Sequence, residues 1–444
     1  MQEIKLSDNF TYKKLIRFVI PSVVMMIFTS VYGVVDGLCV SNFVGKTPFA
    51  ALNLIMPFIM MLGAVGFMLG AGGSALVSKT LGEHDNDRAN RYFSMIIILD
   101  IVAGVILAVA GIIFIEPVAR LLGATDDMLP YCVAYGRIVL IGTPAFMLQN
   151  AFQSFLITAE KPKLGLYVTV AAGVMNIVLD LLFVAAFGWK IEGAAIATVI
   201  SQCVGGFLPF FYFARKNPSI LRFHMTRLEA IPLLKASANG SSELMSNISS
   251  SLVSMLYNYQ LMQYAGEDGV SAYGVIMYIN FIFIAAFIGY SIGSAPIVGY
   301  NYGAQNREQL KSLLRKSLVI IGVSGVAMTA LAELLAYPLT MLFAGYDKAL
   351  FDLTLRGFMI FSISFLLCGF NIYGSAFFTA LNNGAVSAII SFLRTLVFQL
   401  AALFLLPLIW DVDGIFAAII AAEIMALILT AIFLVAKRKK YGYF

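Results

Sequence analysis

Charged residues are scarce in this chain: Asp, Glu, Lys and Arg make up 12% of its 444 residues. Soluble domains carry about 25% charged residues, so this composition argues against water as the main solvent. Apolar side chains, in contrast, account for 60% of the sequence. We therefore expect an integral membrane protein.

Cysteine and histidine are nearly absent as well, with four and two residues respectively. The cysteines lie far apart in apolar segments, at Cys39, Cys132, Cys203 and Cys368. This pattern matches neither a disulfide framework nor a zinc site. The sequence also lacks GxSxG, Walker and HExxH motifs. We therefore expect a protein that is not an enzyme and that carries no resident cofactor.

Apolar runs long enough to cross a bilayer recur twelve times along the chain. A crossing needs roughly 20 apolar residues, and its backbone groups must be satisfied within a helix. The seventh and eighth spans are predicted at 236–264 and 271–298, with a break between them. Most Lys and Arg residues lie before span 1, after the even-numbered spans and in the C-terminal tail. The positive-inside rule then predicts a multi-pass protein of the cell membrane with both termini in the cytoplasm.

The sequence also aligns with itself without a gap. Gly82 aligns with Gly303 and Asn150 with Asn371, both at an offset of 221 residues. Many matches are Gly, Pro or Asn, which backbone geometry dictates, so composition alone does not explain them. The predicted fold class is an all-α membrane protein with twelve transmembrane helices in two parallel, pseudo-symmetric six-helix lobes, as in several secondary transporters. The predicted boundaries are 1–214 for the N-lobe, 215–235 for a cytoplasmic linker and 236–444 for the C-lobe.

Two aspartates lie deep in predicted spans of the first copy, where a charged side chain costs roughly 2.5–3.5 kcal/mol. Asp36 follows Tyr32 by four residues in span 1, and Asp180 follows Asn176 by four residues in span 5. Each pair therefore shares one helix face. Thr198 in span 6 adds a hydroxyl group. The aligned positions of the second copy carry no acid, so a functional site is favoured over a symmetric packing feature.

Two kinds of cation fit this cluster. Two carboxylates in a low dielectric repel each other, so the pair can carry a proton. The hard oxygen ligands of Asp36, Asn176, Asp180 and Thr198 would also suit Na⁺. Tyr32 is the expected hydrogen-bond partner. Helix–helix hydrogen bonding, worth about 0.6–2 kcal/mol per contact, is the structural alternative.

The boundary between the two lobes is the expected substrate site. Glu243, early in span 7, is either a counter-charge for a cationic substrate or a first-turn glutamate favoured by the helix dipole. Methionine side chains adapt to varied ligands. The remaining cleft candidates are Met25, Met147, Asn150, Met255 and Asn371. Pro21 is either a hinge one to two turns inside span 1 or a proline near a helix start.

These features resemble the multidrug and toxic compound extrusion (MATE) transporters of the MOP superfamily, in particular the DinF-like and bacterial multidrug branch. The segments that carry the resemblance are Val35-Asp36-Gly37, Asn176 to Asp180, and Gly193 to Thr198. The resemblance implies an N-lobe pocket for the coupling H⁺ or Na⁺ at Pro21, Tyr32, Asp36, Asn176, Asp180 and Thr198. The NorM-like branch has an acidic C-lobe site on spans 7 and 10, whereas span 10 here has Asn371 and no acid.

The function implied by this resemblance is secondary antiport. The protein would export amphipathic, often cationic, organic compounds in exchange for H⁺ or Na⁺ by alternating access. Its expected partners are these small molecules and the lipid bilayer; we expect no nucleic acid partner and a functional monomer. The alternative is a flippase for lipids or lipid-linked oligosaccharides from the same superfamily. Such a flippase needs a wide cationic cleft for pyrophosphate, whereas the charge inside the spans leans acidic.

Overall fold

The computed structural model describes residues 4–44, 46–224, 226–345 and 347–444, without the side chains of residues 34, 36–43, 46 and 49. This part of the chain contains helices and no strand. The helices are α1 Tyr12–Val44, α2 Lys46–Gly82, α3 Asn86–Leu121, α4 Leu129–Ile141, α5 Thr143–Thr158, α6 Pro162–Asp180, α7 Lys190–Ala214, α8 Ala230–Gly303, α9 Arg307–Ala344, α10 Lys348–Ser362, α11 Phe365–Ala380, α12 Gly384–Phe392, α13 Phe398–Leu405 and α14 Pro407–Tyr441. Two π-helical turns, Leu181–Ala186 and Leu393–Val397, follow α6 and α12.

By length and composition, the described residues contain enough apolar helix for twelve membrane crossings. Nine continuous helical stretches are long and apolar enough by themselves, with α12, its π-helical turn and α13 counted as one stretch. Two bent pairs, α4–α5 at 54° and α10–α11 at 50°, each add one crossing. Helix α8 extends over 74 residues, whereas a hydrocarbon core of about 30 Å needs roughly 20. Its backbone leaves helical geometry at Gly266, with φ 61° and ψ −150°. Helix α8 is therefore two crossings, broken between the predicted spans 7 and 8.

The two halves of the chain share the geometry of their turns. His84 and Gln305, which are 221 residues apart, both adopt positive φ, at 62° and 55°. The next residues along, Asp85 and Asn306, each cap a helix by accepting a hydrogen bond of 3.0 Å from the backbone N–H three residues later. The sequence repeat is thus a structural repeat, and the predicted fold class is confirmed.

The lobes touch at the end of the bundle that carries both termini. Gly240, near the start of α8, lies so close to α2 that an added Cβ would be 1.9 Å from the carbonyl oxygen of Met68. An added Cβ on Gly82 or Gly303 would lie 2.0 Å or 1.9 Å from a backbone oxygen of the opposite lobe. Only glycine permits such an approach, so these residues determine how tightly this end closes.

Away from these contacts, one position on α1 and one on α8 border open space. Gly33 on α1 and Gly274, just after the break in α8, would have no atom within 4 Å of an added Cβ. The lobes are therefore in contact at one end, with open space beside α1 and α8 away from it.

An N-terminal segment, residues 4–10, bridges the two lobes at the closed end. Glu160, in the turn between α5 and α6, accepts a hydrogen bond of 2.6 Å from the Leu6 N–H. Lys316 on α9 donates a hydrogen bond of 2.5 Å to the carbonyl oxygen of Phe10. Leu6 and Phe10 are buried. The segment therefore ties a turn of the N-lobe to a helix of the C-lobe.

We expect Lys316→Met to release this N-terminal segment. Hydrogen bonds to charged groups contribute about 1.5–3 kcal/mol, so amide exchange in residues 4–10 should accelerate by about tenfold or more. Hydrogen-exchange mass spectrometry of the purified protein measures this directly. Lys311→Met, at an exposed lysine of the same helix, should leave exchange in the segment unchanged. Equal exchange in the wild type and Lys316→Met would show that the segment is held by other contacts.

The carboxyl group of Glu160 should also make stability depend on pH. Burial raises the pKa of Glu160, against the opposing effects of the Leu6 hydrogen bond and the Lys5 charge. A raised pKa in the folded state stabilises the protein at low pH, and this contribution is lost as pH rises through that pKa. Glu160→Gln keeps a carbonyl acceptor but cannot ionise. Its melting temperature relative to the wild type should therefore increase between about pH 4 and pH 8, and a constant difference would contradict this assignment.

Candidate functional site

The polar residues predicted in span 5 lie on one buried face of α6. Gly173, Asn176 and Asp180 are spaced three and four residues apart, and all three are buried. A Cβ added to Gly173 would lie 3.0 Å from the ring of Tyr32 and 2.6 Å from that of Phe28. The face of α6 that contains Asn176 and Asp180 is therefore turned towards α1.

Asp180 is a buried acid at a change in helical geometry. It is the last residue of α6, it is 1% exposed, and the π-helical turn Leu181–Ala186 begins at the next residue. Such turns carry an extra residue and are frequent at functional sites. A carboxylate at this depth is costly unless hydrogen bonds or a cation compensate its charge. Asn176, one turn earlier, adds an amide group to the same face.

Tyr32 and Thr198 belong to α1 and α7, the two helices that pack most extensively against α6. Tyr32 is half-buried, and its ring centroid lies 5.9 Å from that of Phe28. The Thr198 hydroxyl donates a hydrogen bond of 2.9 Å to the carbonyl oxygen of Ala194. Its oxygen retains lone pairs that can accept a hydrogen bond or bind a cation.

The side chain of Asp36 lies outside the described part of the structure. Its backbone belongs to α1, four residues after Tyr32. The predicted pairing of Asp36 with Asp180 therefore stays a prediction, supported by the contact between Tyr32 and the α6 face.

Pro21 lies inside α1, next to a contact with the other lobe. A Cβ added to Gly289 on α8 would lie 2.6 Å from the Cα of Val23 and 2.7 Å from the carbonyl oxygen of Ser22. Bending at Pro21 would therefore move the part of α1 that carries Tyr32 relative to this contact. The position suits the predicted hinge, whose motion stays a prediction.

Four of the predicted cleft residues are enclosed within the lobes. Met25 and Met147 are 1% and 0% exposed, and Asn150 and Asn371 are 4% and 0% exposed. In this conformation their side chains do not face a cleft. An apolar sequence does not reveal which methionines pack in a core, because core and cleft positions have the same composition.

The two other cleft candidates lie on α8 and are accessible. Met255 is 46% exposed, and Glu243 is half-buried. Glu243 follows Gly240 by three residues, so it lies about one helical turn beyond the contact between the lobes. Its position is consistent with a counter-charge at the edge of the space between them.

A charged cluster inside the C-lobe joins Arg394 and Glu423, a pairing that was not predicted from the sequence. Glu423 on α14 is 1% exposed and forms an ion pair of 2.8 Å with Arg394. Asn371 donates a hydrogen bond of 2.7 Å to the same carboxylate. The only signal was one acid and one arginine in separate predicted spans. No periodicity connects residues that lie on different helices.

Twelve crossings in two parallel lobes, with buried acids inside the lobes, are typical of a secondary membrane transporter. The MatE family model matches residues 21–182 and 244–405, once in each half of the chain. The chain therefore belongs to the MatE family.

Its relatives share low sequence identity with the chain but align with it over most of their length. The chain is 23% identical over 418 residues to "Multidrug export protein MepA" of Staphylococcus haemolyticus, which covers 94% of this chain and 91% of that protein. It is 24% identical over 376 residues to "Probable multidrug resistance protein YoeA" of Bacillus subtilis, covering 82% and 80%. A solved outward-facing multidrug resistance MATE transporter of the MOP superfamily has a TM-score of 0.92 at 23% identity, over 99% of both chains. This last likeness supports the fold.

Proposed function

We propose that the chain is a secondary antiporter of the cell membrane that exports amphipathic, often cationic, organic compounds in exchange for H⁺ or Na⁺. The observation that carries this proposal is the buried Asp180 on the α6 face turned towards Tyr32. Two relatives named as multidrug export or resistance proteins support the class of substrate.

A small cation is the ligand that best suits this part of the N-lobe. Asp180 and Asn176 lie on one face of α6, and we propose that Asp36 and Thr198 complete the set of oxygen ligands. Neutralisation by H⁺ or Na⁺ removes the cost of an isolated carboxylate in hydrocarbon. Exchange follows if substrate and cation favour different conformations, because each then lowers the affinity for the other by the same factor.

The contacts between the lobes suggest how access alternates. The positive-inside rule puts both termini in the cytoplasm, so the closed end would be cytoplasmic and the open space would face outside. Rocking of the lobes would separate Gly82 from Gly303 and close the space beside Gly33 and Gly274. Substrate would enter from the cytoplasm, against Met255 and near the carboxylate of Glu243.

Transport driven by one gradient at a time tests this function. Proteoliposomes loaded with a cationic dye would be given a pH gradient alone or a Na⁺ gradient alone. We expect dye flux with the coupling gradient and its loss when an ionophore collapses that gradient. Flux that responds to neither gradient would contradict antiport. A lipid-linked oligosaccharide offered in counterflow should give no exchange; exchange of that substrate would favour the flippase alternative.

A further inference from the structure

The C-lobe contains a buried charged cluster that the proposed exchange does not use. Glu423 on α14 is 1% exposed, and the side chain of Arg394, in the π-helical turn, is 15% exposed. The Arg394 Nε donates to both carboxylate oxygens, at 2.9 Å and 3.0 Å. Asn371 on α11 adds a hydrogen bond of 2.7 Å, and Thr430 donates to the Asn371 amide oxygen at 3.1 Å. Three elements of the lobe therefore converge on one carboxylate.

The sequence repeat shows that the fold does not require these charges. At an offset of 221 residues, the N-lobe positions aligned with Arg394 and Glu423 are Gly173 and Gln202. Asn371 aligns with Asn150. The acid and the arginine are thus present together in one lobe and absent together in the other, in the same architecture. A buried ion pair is seldom more stabilising than neutral side chains of similar volume, so packing alone does not explain the pair.

The surroundings of Glu423 have the composition of a cation site. A carboxylate, an amide group and a hydroxyl group converge in a region closed to water, and the positive charge between them comes from the chain itself. Without the guanidinium group, the Glu423 carboxylate would need another cation. Arg394 belongs to the π-helical turn Leu393–Val397, which adds one residue to the helical stretch of α12 and α13. Such turns are frequent at functional sites.

We propose that Glu423 forms a cation site whose permanent occupant is the Arg394 guanidinium group. The C-lobe then keeps its cation throughout the cycle, and exchange is confined to the N-lobe face of α6. The second part of this statement depends on the proposed antiport; the first part does not. Arg394 accordingly neutralises Glu423, so the C-lobe neither takes up nor releases a cation during transport.

Chemical rescue tests the site without any transport measurement. Arg394→Ala removes the tethered guanidinium group, and free guanidinium at millimolar concentration can replace it. Urea is the neutral isostere and serves as the control ligand. We expect guanidinium to raise the melting temperature of purified full-length Arg394→Ala by several degrees, and urea to have no such effect. In Arg394→Ala/Glu423→Gln, which has no carboxylate to neutralise, guanidinium should also have no effect.

The outcomes separate this proposal from a purely structural ion pair. The proposal would be overturned if guanidinium and Na⁺ changed the melting temperatures of Arg394→Ala and of the double variant equally. If Arg394→Ala is obtained only when guanidinium or Na⁺ is present, the site is supported. If Arg394→Ala cannot be obtained even with guanidinium or Na⁺ present, although the double variant can, the proposal is wrong. If Asp180→Asn does not alter ion-driven efflux, the antiport proposal is contradicted. The rescue of Arg394→Ala by guanidinium does not depend on that result.

Discussion

Asp180→Asn is expected to abolish ion-driven efflux while the protein remains folded. The substitution keeps the size of the side chain but removes the charge that would bind H⁺ or Na⁺ on the buried face of α6. The proposed site needs both carboxylates, and Asp36 alone would not complete it, so efflux from proteoliposomes should fall to the level of vesicles without protein. Substrate binding to the purified variant should persist, because the proposed cleft residues Glu243 and Met255 are unchanged. Asp36→Asn should reproduce the same loss.

Asp100→Asn is the matched control for this substitution. Asp100 is 0% exposed and lies in the same lobe, but on α3, which packs against α2, α4 and α5. We expect efflux driven by the coupling gradient to persist in this variant. If ion-driven efflux survives in Asp180→Asn, the α6 face is not the cation site. The same conclusion follows if Asp100→Asn loses efflux to the same extent.

Gly240→Ala is expected to impair transport by obstructing closure of the end that carries both termini. An added Cβ at this position would lie 1.9 Å from the carbonyl oxygen of Met68 and 2.9 Å from the backbone nitrogen of Gly72. Backbone atoms of α2 would have to move to accommodate it. Overpacking costs about 1–3 kcal/mol, which corresponds to a shift of about 5- to 150-fold between conformations that differ in this contact.

Gly274→Ala provides the control for a methyl group added to α8. Gly274 has no atom within 4 Å of an added Cβ in this conformation, so the substitution should leave the contact between Gly240 and α2 unchanged. The two variants should also differ in the accessibility of a single cysteine introduced at Ala304, whose backbone nitrogen lies 2.8 Å from a Cβ added to Gly82 at the closed end. Labelling at that position should increase in Gly240→Ala and remain low in Gly274→Ala. Equal labelling and equal transport in the two variants would mean that this contact does not control closure.

The sequence predicts the fold well because bilayer thickness and backbone geometry leave few alternatives. Twelve apolar runs could hardly be anything other than twelve crossings, and Gly82 and Gly303 mark the repeat because a close helix crossing admits no side chain. The α6 face was predicted for a similar reason: a four-residue spacing places Asn176 and Asp180 on one side of a helix. The structure adds that this side is turned towards Tyr32.

Contacts between distant spans were not predictable from a single sequence. Arg394 and Glu423 are 29 residues apart on different elements, and only the packing of α14 against the π-helical turn brings them together. Met25 and Met147 were assigned to a cleft because methionine adapts to ligands, but the same side chain also fills gaps in a core. A methionine lines a cleft or packs in a core according to the direction in which its side chain points, and composition does not encode that direction.

The central claim is that substrate and a small cation exchange at a site that contains Asp180. The most direct measurement counts the cations released when substrate binds to the purified protein, with a pH indicator for H⁺ and a Na⁺-selective electrode for Na⁺. The account predicts release of one of the two cations from the wild type on substrate binding, and no release from Asp180→Asn. Substrate binding that releases neither cation from the wild type, or the same amount from both proteins, would contradict it.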